Sequence, residues 1–217
     1  MHSSVISTLK AAAFLFSFLL VSSTAWADGQ VTTPAKLYFP ALNTVGGNPN
    51  GKVTVVEFFD YNCGYCHQIP ALFSQLTQTN PNVRIVYRDY PVLGDESLYA
   101  ARAALAASKQ GKYIALHDAL FATHDRLSDR TVGLLASAVG LDAAKFTSDL
   151  NSKAVQQQLK ANGQAAAQLQ LNGVPVVIVA ATPTHDHGSV KSYMITAPSF
   201  NDLQDAISKV GAAGRSE

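Results

Sequence analysis

The chain has 217 residues, of which 47% are hydrophobic, and it carries 16 Lys and Arg against 15 Asp and Glu. This balance excludes the strongly basic surface with which nucleic-acid-binding proteins neutralise phosphates, so we expect no nucleic-acid partner. The two cysteines are too few for the disulfide framework that stabilises many small exported proteins.

The first 27 residues have the features of a secretory signal peptide. Lys10 precedes an uncharged apolar segment, Ala11 to Val21, and Ala25-Trp26-Ala27 fits a small-x-small cleavage site. The apolar segment is shorter than the roughly 20 residues of a membrane-spanning helix, and an uncleaved anchor is the alternative. Cleavage leaves 190 of the 217 residues, which predicts one soluble, exported domain.

The mature chain begins with a segment of low periodicity and continues into a strand–helix–strand unit. Asp28 to Gly51 ends in Gly, Asn and Pro residues and predicts an arm and a turn. Val53 to Phe59 is typical of a central strand that is buried on both faces. Cys66 is expected on the following helix, which Pro70 should kink. Asn82 to Tyr90 predicts a second strand, parallel to the first.

A block of helices follows, and two strands and a helix complete the chain. Five helices are predicted, with N-caps at Asp95, Asp129 and Asp142 and the last helix ending at Asn172-Gly173. The closing elements are predicted at Val174 to Val179, near Ser192 to Thr196, and in a helix capped by Ser199. This order of elements indicates an α/β fold with a helical insertion.

The two cysteines form the motif Cys63-Gly64-Tyr65-Cys66 directly behind the first strand. A bond across so short a loop removes little entropy from the unfolded chain, so it contributes little to stability. A strand that runs into a helix can hold one sulfur exposed and the other shielded, as thiol-disulfide exchange requires. The motif predicts such an exchange site; an inert disulfide or half a zinc site is the alternative.

Two longer sequence segments resemble the signatures of the DsbA family. They are Val56-Glu57-Phe58-Phe59-Asp60-Tyr61-Asn62-Cys63 and Asn172-Gly173-Val174-Pro175. The resemblance covers essentially the whole mature chain. It implies a thioredoxin fold with an inserted all-helical domain. The predicted segments are a signal peptide (1–27), an N-terminal arm (28–51), the two parts of the thioredoxin-like domain (52–91 and 153–213) and the helical insertion (92–152).

The resemblance also implies a function. It indicates a periplasmic thiol-disulfide oxidoreductase that needs no cofactor beyond the redox-active disulfide Cys63–Cys66. Its expected substrates are unfolded or partly folded exported proteins that contain cysteines. A membrane redox partner is expected to reoxidise or reduce the pair.

Each residue of the motif has an expected role. Cys63 is the predicted nucleophile, because the unpaired N–H groups and the dipole of a helix N-terminus favour a thiolate. Cys66 is the predicted buried resolving thiol. Gly64 and Tyr65 are expected to tune the pair and to contact the substrate.

Glu57 and the Val174-Pro175 pair are the remaining candidates. A buried carboxyl below Cys66 would exchange a proton with that thiol, as the resemblance implies for an acidic residue at this spacing. Strand alternation that turns Glu57 to solvent is the alternative. The resemblance further implies that the bond before Pro175 is cis and lies against the cysteines, with the Val174 backbone free to pair with a substrate. A trans proline on an edge strand is the alternative.

The histidines give weaker signals. His67 either adds positive charge near Cys63 or faces solvent, and His117 and His124 are expected to be packing or surface residues. The turn at His185-Asp186-His187 could complete a four-ligand metal site with the cysteines. A polar loop is the commoner explanation, so no metal site is predicted.

The direction of the exchange chemistry is left open by the motifs. Cys-Gly-Tyr-Cys resembles the isomerase tetrapeptide, whereas valine before the proline resembles the oxidase form. The short segment before the first strand favours a monomer over a dimer with a stalk, and therefore an oxidase. The alternatives are a disulfide isomerase or reductase, a holdase-type chaperone with an apolar groove near Tyr65 and Val174, and a structural zinc protein.

Overall fold

The structure, a computed structural model, describes residues 30–213 as a six-stranded mixed sheet with seven α-helices. The predicted signal peptide lies outside the described residues. The strands are β1 (Gln30–Pro34), β2 (Val45–Gly47), β3 (Val53–Phe59), β4 (Val83–Asp89), β5 (Val176–Ala181) and β6 (Ser189–Thr196). The helices are α1 (Ile69–Thr79), α2 (Asp95–Ser108), α3 (Tyr113–Ala122), α4 (Asp129–Ala138), α5 (Ala143–Leu150), α6 (Lys153–Gln168) and α7 (Phe200–Ala213).

The strand that precedes the cysteine motif lies in the middle of the sheet, whose order is β1-β6-β5-β3-β4-β2. As predicted, β3 and β4 pair in parallel, with Val53 opposite Val83 and Phe59 opposite Asp89. All seven residues of β3 are buried. Helices α1 and α7 and the insertion cover one face, and α6 with a 3₁₀ turn at Ala35–Tyr38 covers the other.

The segment predicted as an arm and a turn forms both edges of the sheet. β1 pairs antiparallel with β6, and β2 pairs antiparallel with β4. Edge strands are held by backbone hydrogen bonds along one side only, so they need no strong apolar alternation. That is why hydrophobic periodicity did not reveal them.

Several predicted helix ends differ from the observed ones. Gly94, with φ of 112°, rather than Asp95 precedes α2, and Ser128 rather than Asp129 caps α4 by accepting from the Thr131 N–H. Helix α6 ends at Gln168, before Asn172-Gly173, because Gln170 takes up the left-handed conformation. Pro70 lies in the first turn of α1, where the missing N–H costs no hydrogen bond, so it starts this helix instead of kinking it.

The helices between β4 and α6 pack around α2. This helix contacts α3, α4, α5 and α6, and its alanines are fully or almost fully buried, which allows close approach of its neighbours. The predicted helical insertion is thus present, while the residue limits of the domains stay a prediction. None of the helices in residues 30–213 has the length and apolar character to cross a bilayer.

Candidate active site

The cysteine motif lies at the end of β3, in two consecutive turns. Cys63 N–H donates to the Asp60 carbonyl at 3.1 Å, and Cys66 N–H donates to the Cys63 carbonyl at 3.0 Å. Cys66 opens the 3₁₀ helix Cys66–Gln68, which continues into α1, whereas Cys63 precedes this helix. Both are free thiols. Cys63 keeps 6% exposure and Cys66 none, so the predicted order of outer and inner sulfur holds, although the outer residue is more buried than expected.

The second predicted signature lies directly against the outer cysteine. The peptide bond between Val174 and Pro175 is cis, as expected. Cys63 Sγ lies 3.5 Å from the Val174 carbonyl oxygen. Residues from the two halves of the sequence therefore meet at one sulfur, and the nucleophile candidate lies beside the partly exposed Val174.

The inner thiol is held in its protonated form by its surroundings. Burial raises the pKa of Cys66, and the Cys63 sulfur, followed by the Glu57 carboxyl, adds to this shift while the Asp60 backbone opposes it. A thiol in this setting needs a base nearby before it can attack a mixed disulfide.

Glu57 lies in the core, which excludes the alternative that it faces solvent. Its side chain is 1% exposed, and its Oε1 has no hydrogen-bond partner among residues 30–213. Burial raises the pKa of Glu57 well above its ordinary value, and the nearby carboxyl of Asp89 raises it further. Its surroundings therefore favour the protonated carboxyl, which can give a proton to a thiolate.

A buried polar cluster that the sequence did not reveal surrounds this carboxyl. Tyr113 Oη donates to Asp89 Oδ2 at 2.9 Å, and Tyr61 Oη lies 3.0 Å from His117 Nδ1. Burial lowers the pKa of His117 to about 3, so its ring is neutral. His117 is a packing residue, as predicted, but it packs within a polar cluster. Only the pairing of β3 with β4 and the position of α3 bring these residues together.

Asp60 is a second residue that the sequence reasoning missed. Its Oδ1 accepts from the Asn62 N–H at 2.8 Å, and its Oδ2 accepts from the N–H groups of Val92 and Leu93 at 2.8 and 2.9 Å. One buried carboxylate thus joins the turn before Cys63 to the loop after β4. An Asp two residues before an Asn at the end of a strand is a turn signal that could have identified it.

His67 is exposed, yet it is fixed between two elements. Its Nδ1 lies 3.1 Å from the Phe121 carbonyl oxygen, and its Nε2 lies 3.1 Å from the Tyr61 carbonyl oxygen. Its ring also meets the Phe121 ring edge-on at 5.3 Å. His67 therefore connects the active-site turn to the end of α3.

The residues between the cysteines border open space. Gly64 is exposed and lines a cleft of about 440 Å³ together with Asn62, His67 and residues 123–127. Tyr65 is 69% exposed. His124 also lines the cleft and is a surface residue, as expected.

The His185-Asp186-His187 turn lies away from the cysteines. The two imidazole rings stack at 5.1 Å, and His187 lies 3.7 Å from the Asp186 carboxylate, with both side chains well exposed. Across residues 30–213, no three His, Cys, Asp or Glu side chains are grouped closely enough to hold a metal ion.

Comparisons with known proteins agree with this geometry. A family model described as a DSBA-like thioredoxin domain matches residues 54–208. A thioredoxin-like oxidoreductase from Silicibacter pomeroyi DSS-3 is 38% identical, with a TM-score of 0.70 over 80% of this chain and 95% of that chain. The thiol:disulfide interchange protein DsbA of Bordetella parapertussis is 27% identical over 186 residues, which cover 82% of this chain and 85% of that protein.

A third similarity is to a much longer protein. The Na(+)/H(+) antiporter NhaA 1 of Mycobacterium sp. (strain KMS) is 28% identical over 175 residues, or 77% of this chain. The chain spans 28% of the length of that antiporter. The family match, the structural similarity and the position of the cysteines at the end of a central strand all indicate the same family. The chain belongs to the DSBA-like thioredoxin domain family, a family of thiol-disulfide oxidoreductases.

Proposed function

We propose that this protein is a periplasmic oxidase that passes its Cys63–Cys66 disulfide to exported proteins. The observation that carries the proposal is the 3.5 Å contact of Cys63 Sγ with the Val174 carbonyl, with Cys66 fully buried behind it. This arrangement leaves Cys63 as the sulfur that an incoming thiolate can reach. It also places backbone beside that sulfur, where an extended substrate segment can pair.

The proposed reaction has two exchange steps. A substrate thiolate attacks Cys63 Sγ, the Cys63–Cys66 bond breaks, and Cys66 leaves as a thiolate. A second substrate thiolate then attacks the substrate sulfur of the mixed disulfide, and Cys63 leaves as a thiolate. Two electrons pass from the substrate dithiol to the cysteine pair, which a membrane redox partner then reoxidises.

Glu57 is proposed to supply the proton that Cys66 needs when it leaves. Its burial and the neighbouring Asp89 charge keep it protonated, while burial of Cys66 makes that thiolate a strong base. The proton therefore moves from Glu57 to Cys66 Sγ in the first step. In the reverse direction Glu57 takes it back, which frees Cys66 to attack a mixed disulfide.

The proposed substrates are unfolded or partly folded chains. Tyr65, Val92 and Leu93 expose 69%, 46% and 54% of their surfaces, and Asp60 holds the Val92–Leu93 loop against the turn before Cys63. Exposed apolar side chains next to a reactive sulfur suit polypeptides that have not buried their own core. Residues 30–47 are part of the sheet or pack on it, so they are not free to form a dimerisation stalk, which supports a monomer.

The test is oxidation of a reduced, unfolded protein with two cysteines by the oxidised chain. We expect stoichiometric disulfide transfer, and an equilibrium with glutathione in which the Cys63–Cys66 pair is the stronger oxidant. Cys63→Ser should abolish transfer. If this variant retained every disulfide-dependent effect of the parent in cells, a holdase-type chaperone would replace the enzyme. A strongly reducing pair would instead indicate a reductase.

Disulfide isomerase is the second candidate, because the exposed Tyr65 lies in a Cys-Gly-Tyr-Cys motif of the isomerase type. An isomerase would restore activity to a protein with scrambled disulfides faster than it oxidises a reduced one. Sedimentation of the mature protein adds a second criterion. A stable dimer would favour the isomerase, whereas a monomer favours the oxidase.

A further inference from the structure

Two fully buried carboxyl groups face the same side of the sheet. On the parallel strands β3 and β4, Glu57 pairs with Tyr87 and Phe59 pairs with Asp89, so Glu57 and Asp89 are diagonal neighbours on one face. Each is 1% exposed. Glu57 Oε1 and Asp89 Oδ1 both lack a hydrogen-bond partner within the described part of the chain.

The two carboxyls differ in the donors that they receive. Asp89 Oδ2 accepts the Tyr113 hydroxyl at 2.9 Å, which favours the charged form of this carboxyl. Burial raises the pKa of Asp89 to about 7, and the Tyr113 hydrogen bond opposes this rise. Glu57 has no comparable donor. The Asp89 charge raises the pKa of Glu57 in addition to the effect of burial. When one proton is removed from the pair, Asp89 is thus the better site for the negative charge.

We propose that Asp89 is a positioning residue of the exchange reaction: held as the charged member of the pair by Tyr113, it keeps the transferable proton on Glu57. This inference rests on the proposed role of Glu57 as the proton partner of Cys66. It assigns Asp89 no contact with substrate or sulfur. Its effect on the reaction passes entirely through the Glu57 carboxyl.

The other ionisable groups around the pair do not supply a compensating cation within the cluster. His117 is neutral, and Arg88 points to the opposite face of the sheet, where it binds the carbonyls of Lys36 and Leu37. The Arg88 charge lowers the pKa of Asp89, but this is the smallest of the effects on that carboxyl. The other titratable groups around the two carboxyls come from three elements. They are Tyr87 on β4, Tyr61 and Cys66 in the active-site turn, and Tyr113 and His117 on α3. Asp118, also on α3, raises the pKa of Tyr87 from the exposed side of the cluster.

The test measures the resolving step as a function of pH. Reduced full-length protein is treated with an aromatic disulfide that leaves a chromophoric thiolate on attack. Cys63 attacks this reagent, releases one aromatic thiolate and keeps the other half of the reagent in a mixed disulfide. Cys66 then attacks Cys63 Sγ, expels the second aromatic thiolate and gives its proton to ionised Glu57. The rate of this second release should rise with pH and level off, with a midpoint set by the ionisation of Glu57.

Asp89→Asn should move this midpoint down by one pH unit or more, because Glu57 no longer faces a negative charge. In Glu57→Gln the rise of this rate with pH should be absent, and adding Asp89→Asn to that variant should leave its pH profile unchanged. Tyr113→Phe leaves Asp89 in place and should shift the midpoint in the same direction by less, since Asp89 then binds the proton more readily. Asp118→Asn, which removes an exposed carboxylate next to the cluster, is the matched control and should leave the midpoint unchanged.

The outcomes separate the two proposals. If the rate in Glu57→Gln still rises with pH, the proton role of Glu57 is wrong. If Glu57→Gln abolishes this rise but neither Asp89→Asn nor Tyr113→Phe moves the midpoint, the Asp89 inference alone is overturned. Should Asp89→Asn fail to fold, as shown by circular dichroism, Tyr113→Phe decides the result.

Discussion

Cys63 Sγ lies 3.5 Å from the carbonyl oxygen of Val174, although the two residues are 111 positions apart in the chain. The sheet explains this contact. β3 and β5 are antiparallel neighbours with Phe58 opposite Val176, so the residues that follow β3 lie beside those that precede β5. Any change in this register would separate the sulfur from the backbone that is proposed to receive the substrate.

Cys66→Ser should accumulate a mixed disulfide through Cys63 with an unfolded protein that contains one disulfide. Without the inner thiol, the covalent complex has no internal route of resolution. Non-reducing electrophoresis and mass spectrometry measure the complex. Cys63→Ser is the control and should trap no substrate; equal trapping by both variants would contradict the assignment of Cys63 as the attacking sulfur.

Glu57→Gln should make the folded state more stable at high pH than the parent. The pKa of Glu57 is raised in the folded state, so the parent loses stability as pH rises above the unfolded value of 4.5. The variant lacks this loss, so its advantage over the parent should grow between pH 5 and pH 8. Urea unfolding at both pH values measures the difference, and an advantage that does not change with pH would show that Glu57 is not buried as an acid.

Asp60→Ala should lower the free energy of unfolding by about 2 to 4 kcal/mol, because three backbone N–H groups lose their acceptor together. The same variant should slow disulfide transfer, since the turn before Cys63 is no longer tied to the Val92–Leu93 loop. Urea unfolding and the transfer assay provide the two readouts. A loss below about 0.5 kcal/mol, typical of a surface substitution, would disprove this role.

Arg88→Met should loosen the N-terminal segment of the fold. The Arg88 guanidinium donates to the carbonyls of Lys36 and Leu37 and to Asn162 Oδ1 from a buried position. Loss of these bonds should cost about 3 kcal/mol and expose residues 35–42 to limited proteolysis. Arg88→Lys should recover only part of the stability, because an ammonium lacks the planar fork. Arg126→Met, at an exposed ion pair with Glu96, is the control and should cost little.

His67→Phe should reduce stability by about 1 kcal/mol. The phenyl ring can keep the edge-on contact with Phe121, but the polar contacts of the imidazole with the two carbonyl oxygens are lost. His124→Phe, at another histidine that lines the same cleft, is the matched comparison and should have a smaller effect. Urea unfolding of both variants at pH 6 measures the difference, and equal effects would mean that His67 makes no useful connection to α3.

The order of the main strands and helices, the position of the cysteine motif and the family signatures at residues 56–63 and 172–175 could all be predicted from the amino-acid sequence. These features are local, because apolar runs, helix caps and turn residues act over a few positions. Chemistry within one short motif is equally local, so the Cys63–Cys66 motif was sufficient to predict thiol-disulfide exchange before the fold was known.

The direction of the Glu57 side chain and the groups around it depend on how the sheet and the helices pack. In a strand buried on both faces, alternation does not distinguish the inside from the outside, so the sequence left this carboxyl between core and solvent. Its neighbour Asp89 comes from the parallel strand and Tyr113 from the insertion, and such contacts depend on register and packing across the sheet. The edge strands β1 and β2 were missed for the same reason: their pairing partners, not their own side chains, hold them in place.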